Sequence, residues 1–210
     1  MLKAVLFDWD GTLLDSAEAG LRSYERLFAS YGIAYDRARF AETYSPNWHL
    51  TYERIGLARD KWDEADAAWL EIYASEECGL VAGARDALAL LETAGVRTGL
   101  VTSGSRSRVL RELAALDLET RFRTVVCSED VSRKKPHPEA LHLGLERLAV
   151  SPEAAAYVGD SPEDVGMARA AGVFSVGVAG GFPNREALRG SGPDLFSEDL
   201  LNAIRALLSF

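Results

Sequence analysis

The sequence predicts a doubly wound α/β fold that carries a helical insertion. All fourteen valines lie outside residues 16–80, and the same stretch holds eleven of the nineteen aromatic residues. Valine favours strands and loses side-chain freedom in helices, so a valine-free, aromatic-rich stretch predicts helices. The rest of the chain alternates short apolar runs with helical periodicity, which predicts parallel strands joined by helices.

Five apolar runs are predicted as buried strands of a parallel sheet: Ala4–Phe7, Val96–Val101, Thr124–Cys127, Ala154–Val158 and Phe174–Val178. Helical patterns lie between them near residues 84–94, 105–116, 138–148 and 162–171, and a last helix is predicted near residues 197–208. Gly95 and Gly172 stand where a left-handed residue ends a helix. The predicted core is therefore residues 1–15 and 81–210, with residues 16–80, the helical insertion, placed after the first strand.

The helical insertion shows amphipathic periodicity. A first apolar face lies between Ser16, a favourable N-cap residue, and Gly32, a helix stop; its members are Leu21, Tyr24, Leu27, Phe28 and Tyr31. A second face comprises Trp62, Ala65, Trp69, Ile72 and Tyr73. Both faces predict a small helical core rich in aromatic rings. The segment Thr43–His49 is polar, aromatic and interrupted by proline, so it is predicted as a loop.

Composition excludes several classes of protein. A chain of 210 residues can bury a core without disulfides. Cys78 and Cys127 fit no metal or redox motif, which favours a reduced, cytoplasmic protein. The net charge is −9 and the only basic cluster is Arg133–Lys135, so no nucleic-acid partner is expected. No apolar run approaches the roughly 20 residues that a membrane span needs, and Asp8 and Asp10 interrupt the first run, so neither a span nor a signal peptide is expected. A monomer and a homodimer both fit.

The first strand is followed by two aspartates. In a doubly wound sheet the functional groups lie at the carboxyl ends of the strands, where Asp8 and Asp10 stand. Side chains two residues apart on a strand point the same way, so both carboxylates can approach one site. This spacing suits a nucleophile and a general acid beside a hard cation. One aspartate in a strand-end turn is common, but two beside an apolar run are harder to explain by structure alone.

Three further strand ends carry polar groups. Val101–Ser105 runs into a helix, where hydroxyls and free backbone amides can bind an anion, although serine and threonine are also ordinary helix caps. Lys134 and Lys135 follow the third strand and can neutralise a phosphate or form a solvated basic turn. Asp160 and Asp164 follow the fourth strand and can bind or support a cation, although Asp164 also suits a helix dipole.

In this order the motifs resemble those of the haloacid dehalogenase (HAD) superfamily. The resemblance is to its phosphatases with a helical cap after the first strand, such as phosphoglycolate phosphatases and β-phosphoglucomutases. The matching motifs are Asp8–Leu13, Val101–Ser103, Lys135–Pro138, and Gly159–Ser161 with Asp164. The resemblance covers essentially the whole chain and implies a Rossmann-like HAD core with residues 16–80 as the cap.

The resemblance also implies Mg²⁺-dependent hydrolysis of a small phosphorylated metabolite. Asp8 would attack phosphorus and form an aspartyl phosphate, while Asp10 would protonate the leaving oxygen and then activate water. The implied metal ligands are the Asp8 carboxylate, the Asp10 carbonyl and Asp160, with Asp164 in support. Phosphate would be bound by Thr102 and the Ser103 amide, with Lys135 neutralising charge.

Three expectations follow from these roles. Asp10 must hold a proton near neutrality, so burial is expected to raise its pKa. The motif match selects Lys135, so Lys134 is expected to behave as a surface residue. All four motifs lie outside the helical insertion, which is therefore expected to select the leaving group. The residues proposed for this selection are Asn47 and His49, with Trp48 and Tyr44, which would equally well pack the insertion.

Several alternatives use related residues. A β-phosphoglucomutase-like phosphotransferase would use the same four motifs. Phosphonoacetaldehyde hydrolases have a tryptophan at the position of Trp9 but lack the acid Asp10, and Lys61, the one lysine of the helical insertion, is poorly placed for a Schiff base. Dehalogenases lack the second aspartate. A phospho-accepting signalling domain is much shorter and has no helical insertion, and a non-catalytic binding protein would not need every motif residue.

Overall fold

The centre of the structure, a computed structural model that describes residues 1–209, is a six-stranded parallel sheet. Its strands are β1 (Ala4–Phe7), β2 (Arg97–Val101), β3 (Thr124–Val126), β4 (Ala155–Gly159), β5 (Phe174–Val178) and β6 (Leu195–Ser197). They lie in the order β3-β2-β1-β4-β5-β6, and every neighbouring pair is parallel. The winding direction changes between β1 and β4, where doubly wound sheets form their binding crevice. The predicted fold class is confirmed.

The described residues form ten α-helices. Those of the helical insertion are α1 (Ala17–Ser30), α2 (Arg37–Thr43), α3 (Trp48–Ile55) and α4 (Trp62–Tyr73). The others are α5 (Ala84–Thr93), α6 (Arg106–Ala115), α7 (Glu139–Leu148), α8 (Pro162–Ala170), α9 (Arg185–Gly190) and α10 (Leu200–Leu207). None of these helices has both the length and the apolar character needed to cross a bilayer.

Helices cover both faces of the sheet because its strands alternate their side chains. Val5 and Phe7 pack under α5, α6 and α10, whereas Ala4 and Leu6 pack under α7 and α8. All four residues of β1 are fully buried, which explains why its sequence is a continuous apolar run rather than an alternating one. The first strand, with its two trailing aspartates, thus lies at the centre of the domain.

The end of the chain differs from the prediction. The last helix was expected near residues 197–208, but Ser197 belongs to β6 and α10 begins after Asp199, whose carboxylate accepts a hydrogen bond from the Asn202 amide at 2.8 Å. Neither β6 nor α9 was predicted. With three and six residues, both are too short to show a periodicity.

The helical insertion has an apolar cluster of its own, built largely from the predicted aromatic residues. Tyr24 and Phe28 of α1 stack with ring centroids 5.4 Å apart. Phe182, from the loop after β5, joins this cluster by stacking on Tyr44, with centroids 4.5 Å apart and planes 11° apart. The loop after β5 therefore contributes one aromatic residue to the core of the insertion.

The segment predicted as a loop between insertion helices is only partly a loop. Thr43 ends α2, and Trp48 and His49 lie in the first turn of α3. Asn47 takes the N-cap position of α3, but its side chain makes no capping hydrogen bond. The prediction of a loop was wrong at Trp48 and His49, because Pro46 stands just before the helix and a proline is also typical of loops.

Candidate active site

The carboxyl ends of the strands open into a cavity of about 220 Å³. The residues predicted at separate strand ends line it together: Asp8, Asp10, Thr102, Ser103, Lys135 and Asp160. Gly11 makes the sharp exit from β1 with φ of 76°, and a Cβ there would lie 2.2 Å from Asp160 Oδ2. Glycine is therefore required both by the turn and by the neighbouring carboxylate.

Lys135 is buried between two carboxylates. Its Nζ donates to Asp8 Oδ1 at 2.7 Å and to Asp164 Oδ1 at 2.8 Å, and its side chain is only 5% exposed. Burial would lower the pKa of Lys135, but the two negative charges outweigh burial and raise it. Burial raises the pKa of Asp8 to about 7, even though the Lys135 charge acts in the opposite direction. Lys135 is thus a fixed cation that orients the carboxylate of Asp8, the predicted nucleophile.

Asp164 and Asp160 differ sharply in their hydrogen bonding. The Asp164 carboxylate accepts from Lys135 Nζ, from the Tyr157 hydroxyl at 3.2 Å, and from the Ser161 amide and hydroxyl at 3.1 and 2.6 Å. Asp160 Oδ2, by contrast, is buried with no hydrogen-bond partner in the described part of the chain. The Asp164 carboxylate is therefore already held by hydrogen bonds, whereas Asp160 has an oxygen free to bind another group.

This donor set fits a hard divalent cation. One oxygen from each of Asp8, Asp160 and Asp164 lies within 4.8 Å of the others. Burial, together with the Asp164 and Asp8 charges, raises the pKa of Asp160 well above its ordinary value. Clustered carboxylates with an unpartnered buried oxygen are the ligands that Mg²⁺ prefers. Asp8 and Asp160 would hold the ion with Asp164 behind them, and the Asp10 carbonyl as a ligand stays a prediction.

Mg²⁺ should stabilise the protein more at about pH 8 than at about pH 5.5. A carboxyl group whose pKa is higher in the folded than in the unfolded state stabilises the fold when it is protonated. Asp8 has a pKa of about 7 in the folded state, so without the ion the free energy of unfolding falls as the pH rises through this value. Mg²⁺ needs both carboxylates ionised. We expect saturating Mg²⁺ to raise the melting temperature by about 5 °C at the higher pH and by less than half of that at the lower.

Thermal unfolding with MgCl₂ or with EDTA at both pH values checks this expectation, with Asp160→Asn as the variant that should lose the shift. Asp86→Asn, an exposed change on α5, is the matched control and should keep it. An equal Mg²⁺ effect in Asp160→Asn and in the unchanged protein would contradict the assignment of the ligands.

Arg108 of α6 is a site residue that the sequence did not reveal. Its side chain is 6% exposed and binds Asp10 through two hydrogen bonds, Nη1 to Oδ1 at 3.0 Å and Nη2 to Oδ2 at 2.5 Å. Nη1 also lies 3.1 Å from both oxygens of Glu112, and Glu112 in turn accepts from Trp9 Nε1 at 2.7 Å. We call these four residues, Trp9, Glu112, Arg108 and Asp10, the Trp9–Asp10 network.

The Trp9–Asp10 network reverses the expectation for the general acid. Burial would raise the pKa of Asp10, but the charge and hydrogen bonds of Arg108 outweigh burial and hold it below its ordinary value. The prediction of a raised pKa is therefore wrong for the ligand-free site. Asp10 is an ionised carboxylate whose orientation is fixed by a guanidinium group.

Replacing Arg108 by methionine should destabilise the protein by about 3–5 kcal/mol, because Asp10 and Glu112 would keep their burial but lose their shared cation. The loss should grow as pH rises, since protonation relieves two unpaired carboxylates at low pH. Denaturant unfolding at about pH 5.5 and about pH 8 measures this. Arg111→Met, an exposed change on the same helix, should cost under about 0.5 kcal/mol. A pH-independent loss would show that the charge of Arg108 is not what matters.

The turn after β2 is suited to a phosphate group. Thr102 Oγ1 accepts from the Gly104 amide at 3.0 Å, which leaves its hydroxyl proton free to donate. Ser105, at the N-cap of α6, lines the cavity with a buried hydroxyl that has no hydrogen-bond partner among residues 1–209. With Ser103, these groups form a set of donors for an anion. The first amide of α6, that of Arg106, already donates to the Glu129 carboxylate at 3.0 Å.

Of the four specificity residues predicted in the helical insertion, only two line the cavity. Tyr44 and Trp48 line the cavity, whereas Asn47 and His49 do not. His49 Nε2 lies 3.1 Å from Oδ2 of Asp66, which itself lines the cavity. The structure thus favours Tyr44 and Trp48, and a role for Asn47 and His49 in substrate choice stays a prediction.

Lys134 is exposed, as the motif match predicts, but it contacts the helical insertion. Its Nζ lies 3.5 Å from the centroid of the Trp48 ring, so it links the loop after β3 to the helical insertion. Trp48 Nε1 in turn donates to Asp66 at 2.8 Å. The two adjacent lysines therefore have separate partners, Lys135 in the carboxylate cluster and Lys134 at the wall of the cavity.

Strand-end carboxylates around a cation site, with an anion-binding turn and a buried lysine beside them, define a phosphoryl-transfer enzyme on a doubly wound sheet. The family model described as haloacid dehalogenase-like hydrolase matches residues 5–178, and the chain belongs to this family. The resemblance found in the sequence is thereby confirmed.

Individual relatives agree with this assignment. The chain is 31% identical to a pyrophosphatase PpaX of Bacillus pumilus, covering 98% of this chain and 97% of that protein. It is 30% identical to the phosphoglycolate phosphatase of Escherichia coli, covering 98% and 92%. The structure of CbbY from Rhodobacter sphaeroides in complex with phosphate matches with a TM-score of 0.81 and 27% identity over 96% of each chain. The protein is a HAD-like phosphatase, a phosphoric monoester hydrolase.

Proposed function

We propose that the protein is a Mg²⁺-dependent phosphatase that hydrolyses a small phosphorylated metabolite through an aspartyl phosphate on Asp8. The observation that carries this proposal is the buried Lys135, which holds Asp8 at 2.7 Å beside the unpartnered oxygen of Asp160. A nucleophilic carboxylate needs this arrangement, because it must approach a group of the same sign.

The charges explain why the lysine and the cation site are adjacent. A carboxylate about 3.5 Å from a doubly charged phosphoryl group is repelled by about 9 kcal/mol at an effective dielectric constant of about 20. Lys135 offsets part of this repulsion, and a bound Mg²⁺ would supply two further positive charges. Thr102 and Ser103 donate to the phosphoryl oxygens while Asp8 attacks.

Asp10 is proposed to handle the proton. Its carboxyl lines the same cavity as Asp8, and the guanidinium of Arg108 fixes its orientation. It would donate a proton to the leaving oxygen and take one from the water that cleaves the aspartyl phosphate. Arg108 favours the ionised form that the second of these steps requires, and the negative charge of a bound phosphoryl group favours the protonated form that the first requires.

The helical insertion, residues 16–80, is proposed to act as a cap that selects the leaving group. Tyr44 and Trp48 belong to its wall of the cavity, and the four motifs would contact only phosphate and metal. Contacts with Phe182 and Lys134 hold this wall against the strand ends. The cap would also keep water away while phosphorus is attacked.

Release of inorganic phosphate from p-nitrophenyl phosphate, with Mg²⁺ or with EDTA, tests the proposed function. Turnover should require the metal, and acid quenching should trap a phosphoryl group on the peptide that contains Asp8, visible by mass spectrometry. Turnover in EDTA, or turnover with no trapped phosphoryl group in any rapid quench, would contradict the mechanism. Isomerisation of a sugar phosphate without phosphate release would indicate a phosphotransferase instead.

A further inference from the structure

The wall that the helical insertion contributes to the cavity is aromatic and carries one charge, which is negative. Six of its lining residues are aromatic: Tyr24, Tyr44, Trp48, Tyr52, Trp69 and Tyr73. The charged residue is Asp66 of α4, whose side chain is 30% exposed. No arginine, lysine or histidine from the helical insertion lines the cavity within residues 1–209. This distribution of charge restricts what a leaving group can be.

The two cations that line the cavity are already paired. Arg108 is bound to Asp10 and Glu112, and Lys135 to Asp8 and Asp164. Using either one to bind a second anionic group of a substrate would leave a buried carboxylate without its partner, which is costly. Lys134 lies near this wall, but its ammonium rests on the Trp48 ring and it does not line the cavity.

Asp66 is held in place and keeps accepting capacity. Its Oδ1 accepts from Trp48 Nε1 at 2.8 Å, and its Oδ2 lies 3.1 Å from His49 Nε2. Tyr52 also forms a hydrogen bond with this carboxylate. A carboxylate can accept about four hydrogen bonds, so these three contacts leave about one acceptor position free. Trp69 Nε1 is buried without a partner in the described chain, so it can donate to a hydroxyl or amide oxygen without requiring a charge.

From this wall we infer that the substrate is a phosphate monoester whose leaving group carries no second negative charge and presents an ammonium or a neutral hydrogen-bond donor to Asp66. Aromatic faces around a carboxylate are the environment that recognises positively charged nitrogen, and flat rings suit an apolar leaving group. This inference rests on the proposed phosphatase function. Phosphoglycolate and pyrophosphate, which the names of the relatives suggest, each bring a second anion toward Asp66 and are disfavoured.

Four probes test the inference with the intact protein and Mg²⁺: phosphocholine, O-phosphoethanolamine, 2-phosphoglycolate and p-nitrophenyl phosphate. The first three are of comparable length and differ in the charge at the end opposite the phosphate. We expect kcat/KM for phosphocholine or O-phosphoethanolamine to exceed that for 2-phosphoglycolate by at least about tenfold, since one like charge replaces one opposite charge near Asp66.

Asp66→Asn should reduce that ratio by at least about fivefold, because the amide keeps an acceptor but loses the charge. Asp63→Asn, an exposed change on the same helix, should leave the ratio unchanged. Circular dichroism establishes that both variants are folded.

The outcomes separate two kinds of failure. If p-nitrophenyl phosphate and the other three esters all remain uncleaved, the proposed function fails, and the inference fails with it. If p-nitrophenyl phosphate is cleaved but 2-phosphoglycolate is preferred over both cationic esters, the phosphatase stands and the inference is overturned. A preference for cationic esters that survives Asp66→Asn would also overturn it, because the recognising charge would lie elsewhere.

Discussion

Replacing Asp8 by asparagine should lower kcat by at least about a thousandfold, because the amide cannot attack phosphorus and no other carboxylate occupies its place. The fold should survive, since the carboxamide oxygen of the new side chain can still accept the hydrogen bond that Lys135 donates to Asp8 at 2.7 Å. Phosphate release under saturating Mg²⁺ and p-nitrophenyl phosphate measures the loss, and thermal unfolding verifies the fold.

Asp86→Asn serves as the control for a change of one exposed aspartate to asparagine and should keep full activity. Asp10→Asn should be slow for a different reason, and a phosphoryl group on Asp8 should accumulate because the water is not activated. Retention of more than about a tenth of the activity in Asp8→Asn would rule out Asp8 as the nucleophile.

The second large effect is expected at Lys135. Changing it to alanine leaves Asp8 and Asp164 buried without their shared cation, at a cost of about 3–5 kcal/mol in the free energy of unfolding. It also removes the charge that lets Asp8 approach phosphate, so kcat should fall by at least about a hundredfold. Urea unfolding and steady-state kinetics measure the two losses, and Lys135→Met keeps the aliphatic stem if the alanine variant does not fold.

Lys134→Ala is the matched control, since the two residues are adjacent and only one enters the carboxylate cluster. It removes a contact with the Trp48 ring, which is worth about 0.5–1 kcal/mol at an exposed site. We expect a change in KM for large leaving groups and little change in kcat. The opposite ranking of the two lysines would show that the third motif was aligned one residue out of register.

The positions of the catalytic groups could be predicted because they depend on local sequence and on one topological rule. Four of the five apolar runs, such as Ala4–Phe7, are followed within two residues by a polar residue, and parallel strands bring those ends to one edge of the sheet. Asp8 and Asp160 are thereby placed together although they lie far apart in the chain. Neither an alignment nor a side-chain position is needed for that step.

What could not be predicted depends on side chains that meet across elements. Arg108 and Glu112 are four residues apart on a helix, a spacing typical of an exposed ion pair, so nothing in the sequence showed that Arg108 reaches Asp10. The sign of the Asp10 pKa shift depends on that contact and was therefore predicted wrongly. Strand β6 was missed because three residues are too few to show a period, and the start of α3 at Trp48 was missed because the proline two residues before it is typical of a loop.

The Trp9–Asp10 network has a consequence for how this sequence can change over evolutionary time. Trp9 and Arg108 both donate to Glu112, so losing Glu112 or Arg108 leaves a buried polar group unmatched, whereas replacing several of the three together need not. Substitutions at these positions should therefore show strong epistasis. Homologous chains with a different residue in place of Trp9 are expected to have replaced the arginine and the glutamate as well, so that the three positions covary as one inherited unit.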